Sequence, residues 1–246
     1  MKYIFTLALL TSFYSFSQIK NGVVTYGIQK NINELYKNNE YLSAGDKEAT
    51  NVAPSVVLSL SFNKTEAGFK VKDIELPEGK TIRDFSSDLD FNHKIYENRK
   101  KKIYRSYFNS FRIGEVVQTD SLQYKWTITN ETKEISGYIC YKATSPKYRE
   151  GEILDSKFAI TAWFTPTIPV PYGPNGYGKL PGLILELQSF KAVLYVKTID
   201  LNLKEDPKID KLENYPQLTG DEIDKYSMSS LTPEQKKAVM DSKRIK

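Results

Sequence analysis

The sequence predicts a mainly β fold with a few helices: a single curved antiparallel sheet, or half-barrel, with a C-terminal helix packed on it. Three observations carry this. Apolar residues alternate with a period of two over several short stretches, the spacing that puts one face of a strand inward. Turn residues separate these stretches, and no amphipathic helix of adequate length lies between them, as parallel βαβ units would require. The aromatic content is 13% and includes 17 Tyr, a residue that favours strands and suits half-buried faces because its ring packs while its hydroxyl stays wet.

Taken in order, the chain opens on Lys2, a short apolar run from Ile4 to Leu10 and Ser15-Phe16-Ser17. A positive start, an apolar core and a small-x-small end are the pattern of an export signal. The expectation is cleavage after Ser17, a periplasmic location and one domain over residues 18–246. The apolar run is too short to span a bilayer, and no Cys follows it to accept a lipid.

Residues 22–30 (GVVTYGIQK) alternate as a first strand, and residues 31–53 read as a helix or an insertion. Val56, Leu58, Leu60 and Phe62 share one face of a second strand. Asn63-Lys64-Thr65 turns the chain, and Ala67 to Ile74 returns as its hairpin partner. Asp84, Asp88 and Asp90 lie in a longer connection. They could suggest a hard-cation site, but the calcium-loop spacing is absent and a solvated loop is the favoured reading.

Residues 92–109 are rich in Tyr and basic side chains, and His93 is expected to be exposed among them. Further strands are expected over 111–118, 123–130, 137–144 and 158–165, the last central and covered on both faces. Two more follow over 183–187 and 192–203. In the tail, Thr232 as N-cap, Pro233 at the first helical position and Gln235 in the capping-box place mark a helix to about Lys243.

Composition narrows the chemistry. The one His, His93, and the one Cys, Cys140, cannot build the closed nitrogen and sulfur shells that zinc prefers, and no internal disulfide is possible. No GxSxG elbow is present. Cys140 sits in a strand, where a buried thiol is inert. The net charge of +5 is small and spread out and implies no nucleic-acid partner. Its dense run, Arg99-Lys100-Lys101-Lys102 with Arg105, reads as a solvated turn, with peripheral contact to phosphate or lipid headgroups as the alternative. No cofactor and no catalytic residue is implied.

The stretch from Ala162 to Leu187 organises the rest: an aromatic strand, a loop dense in Pro and Gly, then an apolar strand. Gly173 to Lys179 fits the GxxxxGK spacing of a phosphate loop, but Leu180 stands where a hydroxyl is needed. Pro174 and Pro181 remove amide donors, and a strand follows instead of a helix. Its prolines instead point to a rigid structural crossing.

These residues carry a family resemblance. Trp126, Ile128, Glu131-Thr132-Lys133, Ile135 to Tyr138, Cys140 and Lys142-Ala143, then Ala162 to Thr165, Ile168-Pro169, Gly173-Pro174 and Leu180-Pro181-Gly182-Leu183-Ile184, resemble the GLPGLI family of exported proteins from Gram-negative bacteria. The likeness spans roughly residues 122–190. One position departs: Lys179 stands where the motif's first Gly is expected. The resemblance implies no assigned activity, and its strand plan is similar to that of the lipoprotein-carrier half-barrels, in which a sheet wraps helices around an apolar concave face.

The functional expectation is a non-catalytic binding or accessory protein for an apolar ligand or a partner segment. Trp163, Phe164, Tyr172 and Tyr177 would line or rim its site; plain core packing is the competing reading for Trp163 and Phe164. A second expectation is an envelope interaction protein assisting an outer-membrane transporter, with Tyr172 to Lys179 as its contact loop. A third is an enzyme that uses carboxylates alone.

Overall fold

A computed structural model describes residues 19–31, 40–110, 113–120, 122, 124–149 and 152–229. The export signal expected over 1–17 and the tail helix expected over 232–243 lie outside these residues. The strands are β1 (Gly22–Lys30), β2 (Val57–Phe62), β3 (Glu66–Asp73), β4 (Lys94–Asn98), β5 (Ile103–Ser110), β6 (Gly114–Gln118) and β7 (Thr127–Ile135). They continue with β8 (Tyr138–Ser145), β9 (Tyr148–Arg149), β10 (Glu152–Ile153), β11 (Ile160–Thr165), β12 (Leu183–Gln188), β13 (Ala192–Leu201) and β14 (Gln217–Leu218). Three helices, α1 (Glu40–Val52), α2 (Ile82–Ser86) and α3 (Gly220–Ser229), complete the elements used below.

Twelve strands form one sheet in the order β14-β6-β5-β4-β3-β2-β1-β13-β12-β11-β8-β7. Every pairing is antiparallel except β14 on β6. The mainly β fold is thus as the alternation implies, and the β2–β3 hairpin turns where Asn63 accepts from the amides of Thr65 and Glu66. Register breaks at Thr25/Tyr26, Val57/Leu58 and Trp163/Phe164 accentuate the twist and bending of the sheet.

Two strand starts, one segment and one exposure differ from what the sequence predicts. The strand expected from 123 begins at Thr127, because Tyr124 and Trp126 turn away from the ladder and pack on Tyr177. The strand expected from Phe158 begins at Ile160, because Asp155 accepts from the Lys157 amide and closes a 3-10 turn over 156–158. Residues 92–109 fold into β4 and β5, whose faces combine Tyr, Asn and charged residues and so hide the alternation. His93 is half-buried, not exposed, with Phe91 and Tyr107 as ring neighbours at 6.1 and 6.0 Å.

Two capping boxes start helices that the hydrophobic pattern does not mark. Thr81 and Asp84 exchange hydrogen bonds at the start of α2, and Thr219 and Glu222 do so before α3. Each satisfies amides that a helix start leaves open. At the β6 edge, Asp120 accepts from the Gly220 amide and Ile223 is buried, which docks α3 at that end of the sheet.

The core occupies the inner face. Val24, Tyr26, Leu58, Leu60, Phe62, Phe69 and Ile95 come from β1 to β4, and Ile160, Phe164, Ile184, Leu187 and Leu194 from β11 to β13. Helices contribute Ala49 and Val52 of α1 and Phe85 of α2. The connection between β11 and β12 supplies Ile168, Val170, Tyr172 and Leu180 to the same cluster. The inner face is therefore filled largely by the chain's own proline-rich loop. Tyr26, on β1, donates from Oη to the Ile184 carbonyl of β12 at 2.8 Å, although β13 lies between those strands.

Candidate functional site

The β11–β12 loop closes on itself before it meets anything else. Lys179 N–H donates to Pro171 O at 3.0 Å, Leu183 N–H to Ile168 O at 2.9 Å and Ile184 N–H to Tyr172 O at 3.1 Å. Tyr172 and Gly178 form a β-bridge. These bonds bring the loop backbone so close to its neighbours that a side chain is excluded at Gly178 and Gly182. A Cβ on Gly182 would lie 2.1 Å from the Thr165 carbonyl oxygen, and one on Gly178 would lie 2.6 Å from that of Pro171. Gly176 has a φ of +77°, a conformation in which glycine avoids the Cβ clash. Leu180, Leu183 and Ile184 are buried in the core and Pro174 is buried at the tip, while Pro181 is exposed. The motif residues thus have structural work.

Asn175 fastens the tip to the other side of the sheet. It is buried with a φ of 56°; its Nδ2 donates to Asp90 O at 2.9 Å, and its Oδ1 accepts from the Asn92 amide at 2.7 Å. Arg99, in the β4–β5 turn, donates to the Pro171 carbonyl and stacks 4.4 Å from the centre of the Tyr172 ring. The basic run 99–102 is therefore a turn, as expected, but its first residue is structural and partly buried.

Between this turn and the loop lies a pocket of about 370 Å³. Glu97, Arg99, Lys102 and Lys179 supply its charges, and Ile103, Tyr104, Leu122 and Tyr124 its apolar and aromatic wall; Asn98 and Gly176 complete it. Arg99 Nε donates to Glu97 Oε1 at 3.1 Å. Burial raises the Glu97 carboxyl above its ordinary range, and Arg99 and Lys179 pull against that rise. The Lys179 ammonium lies 5.0 Å from the centre of the Tyr124 ring.

Tyr124 belongs to an aromatic trio with Trp126 and Tyr177, at centroid separations of 5.4 to 6.1 Å. Trp126 Nε1 donates to Gly178 O at 2.8 Å. The trio braces the pocket wall against the loop. The Tyr104 hydroxyl is buried and makes no hydrogen bond of good geometry among the described residues. Burial pushes its ionisation far up, and the Ser106 hydroxyl nearby only moderates that. It stands next to Gly176, where a Cβ would come within 2.9 Å of it.

The four aromatic residues singled out from sequence do not converge on this pocket. Phe164 is core, beside the Tyr141 ring at 6.2 Å. Trp163 alternates to the other face of β11, under the Lys133 ammonium at 4.5 Å, and that lysine pairs with Glu186 at 2.8 Å. Tyr172 is buried against Phe62 and Arg99, its phenol pushed up to about 12 by burial. Tyr177 stands behind Tyr124. Tyr172 and Tyr177 thus support residues of the pocket from behind, and Trp163 and Phe164 are elsewhere. The pocket's own residues, Glu97, Tyr104, Leu122 and Tyr124, carry no motif; Lys179 is marked only by its departure from the family pattern.

The other candidate groups are dispersed. Asp84 caps α2, which holds its carboxyl below the ordinary range, and Asp90 pairs with Lys147 at 3.6 Å. Among the described residues no group of three or more His, Cys, Asp and Glu is placed to hold a metal ion. Cys140 is buried, its thiol pushed up to about 11 by burial. His93 lines a separate, more polar pocket of about 470 Å³ with Asp90, Lys147 and Lys191.

Residues 146–186 match a family described as "Protein of unknown function (Porph_ging)", the GLPGLI family. No curated protein matches the chain. Among solved structures, "Structure of PNGF-II in C2 space group" is similar over 84% of this chain at 16% identity and a TM-score of 0.50. A second crystal form of PNGF-II gives 84%, 16% and 0.49. This chain spans about a third of the PNGF-II chain, 32% and 33% in the two forms. At that identity the likeness concerns the fold alone. The family match falls on the segment from β9 through β11 and its loop into β12, the part of the chain that closes the inner face and frames the pocket.

Proposed function

We propose that this is a non-catalytic binding protein of the cell envelope, exported and periplasmic, that holds a small ligand between the β4–β5 turn and the β11–β12 loop. The observation that carries this reading is a concave, mixed apolar and charged pocket on a hydrogen-bonded frame, beside which the buried Tyr104 hydroxyl makes no hydrogen bond of good geometry among the described residues. Buried polar groups without partners are uncommon and call for an explanation, and a ligand acceptor would supply one. Pockets of this size with an aromatic wall and a few polar groups are the usual form of small-molecule sites.

The sequence predicts an apolar ligand or partner segment in a half-barrel site lined or rimmed by Trp163, Phe164, Tyr172 and Tyr177. Ile168, Val170, Tyr172 and Leu180 fill the inner face, so the proposed site is the pocket at its rim. The non-catalytic reading is supported by Glu97 being tied to Arg99 and by His93 and Cys140 lying outside this pocket. Native mass spectrometry of the protein purified from its own envelope fraction tests it. A small-molecule adduct is expected on the wild type and not on Leu122→Trp, which fills the pocket. A wild-type protein that emerges empty removes the reading.

A partner-binding role finds its support away from the loop. Tyr172 to Asn175 are buried, whereas Ile128, Ile139 and Tyr141 on the β7–β8 hairpin are exposed. Photocrosslinking from Ile139 is the corresponding test, and labelling of an envelope protein would favour that role.

A further inference from the structure

Two lysines meet at the pocket from unconnected parts of the chain. Lys102 closes the β4–β5 turn at a φ of 55°, and Lys179 ends the loop tip at a φ of 62°. Both conformations are left-handed, a region that disfavours L side chains and suits glycine. Yet both positions carry long cationic side chains that line one cavity. Strained backbone of this kind clusters at ligand clamps, where the surrounding fold over-determines it.

Charge points the same way. Of the pocket's charged residues, Glu97 is in contact with Arg99 at 3.1 Å and is also attracted by Lys179. Among the described residues neither Lys102 nor Lys179 makes an ion pair. One carboxylate and three cations therefore leave the pocket with a net surplus of two positive charges beside the apolar wall of Ile103, Leu122 and Tyr124. Glu97 faces the same space, and it would repel a second negative charge on a ligand. A monoanion fits this field better than a phosphate dianion.

We propose that the pocket recognises a small organic carboxylate, its charge held between Lys102 and Lys179 and its apolar body laid against Leu122 and Tyr124, with the Tyr104 hydroxyl donating to it. This rests on the pocket being a ligand site and adds the ligand's chemical class.

The test is isothermal titration calorimetry of the full-length mature protein with a matched pair of probes, 4-phenylbutyrate and the neutral 4-phenylbutan-1-ol. The carboxylate is expected to bind about tenfold more tightly than the alcohol, the scale of one charge-assisted hydrogen bond. The preference is expected to weaken as salt is raised. Lys102→Gly/Lys179→Gly is expected to abolish the preference without lowering the melting temperature, because glycine is at ease at both φ values. Lys179→Met, which removes the charge and keeps a side chain, is expected to reduce it as well.

Equal binding of the two probes, or a preference that survives in the double variant, overturns the carboxylate assignment and leaves the pocket as a ligand site. Absence of saturable binding of 4-phenylbutyrate at millimolar concentration also overturns the assignment. If the envelope-purified protein also carries no adduct, the ligand-site reading falls with it.

Discussion

Asn175 shows how much a single residue can carry here. Its side chain makes two hydrogen bonds across the sheet, and its backbone has a φ of 56°. The two contributions separate by substitution. Asn175→Gly keeps the conformation and loses the hydrogen bonds, an expected destabilisation of ~2 kcal/mol. Asn175→Ala loses both, and the left-handed backbone adds ~1 kcal/mol to that figure. Urea denaturation of the two variants checks the order, and an Ala variant as stable as the Gly variant would show that the backbone is relaxed there. Asn is among the residues that tolerate this conformation, and the sequence places it between Pro174 and Gly176. A turn was legible in that triplet, but nothing local could show that the Asn side chain reaches residues 90 and 92.

At the scale of elements, strands were easier to foresee than helices. In β2, Leu58, Leu60 and Phe62 alternate with smaller or polar residues, and the structure buries all three. In β4 and β5 both faces carry buried residues: Ile95 joins the main core, while Tyr96, Asn98 and Tyr107 are buried on the opposite face, where Val117 and Leu212 pack with the two tyrosines, so the period is masked. Glu66 holds this face together by accepting from Tyr96 Oη at 2.8 Å and from Asn98 Nδ2 at 2.9 Å. Helix α1 was an open question in the sequence because its face toward the sheet is narrow, with Ala49 and Val52 as its buried core residues. An ion pair assists it: Lys30 Nζ on β1 lies 2.6 Å from Asp46 Oδ1, with side-chain exposures of 2% and 14%. Lys30→Met would leave the Asp46 carboxylate in a largely dry setting, and breaking such a pair is expected to cost about 3 kcal/mol. The accompanying change is faster amide exchange over residues 44–52. Lys30→Met with Asp46→Leu is expected to recover most of the loss, since an apolar pair removes the stranded charge. A double variant as unstable as the single would argue against the ion pair as the cause.

Over the whole molecule, acid is expected to weaken the fold in two stages. His93 is held below its ordinary value of 6.5, first by burial and then by Lys94. The unfolded chain therefore binds a proton that the folded chain resists, and stability falls as pH drops below 6.5. Asp84 and Glu66 are held below their ordinary values by hydrogen bonds from Thr81 and from Tyr96. What they contribute is present above those values and is lost as pH falls through the folded-state values. Glu97, raised by burial, acts in the opposite sense: its share of stability falls as pH rises above its unfolded value. Melting temperature against pH is expected to decline first between pH 6.5 and 5. His93→Phe, which keeps a ring between Phe91 and Tyr107, is expected to flatten that stage alone. An unchanged decline in the variant would assign it to other groups.

The sequence by itself determined the class of fold and the turn chemistry of the β11–β12 loop, because alternation, turn residues and proline act over a few neighbouring residues. It also marked Lys179 as out of pattern. The tertiary structure decided where that loop goes and what it does. The loop fills the inner face of the sheet, and by crossing to the β4–β5 turn it brings Lys179 and Gly176 against Glu97, Arg99, Lys102 and Tyr104. Those residues are some eighty positions away in the chain, and no local pattern joins them. A pocket is made by which distant surfaces meet, and that is set by core packing and by the curl of the sheet, neither of which is written in the spacing of any one segment.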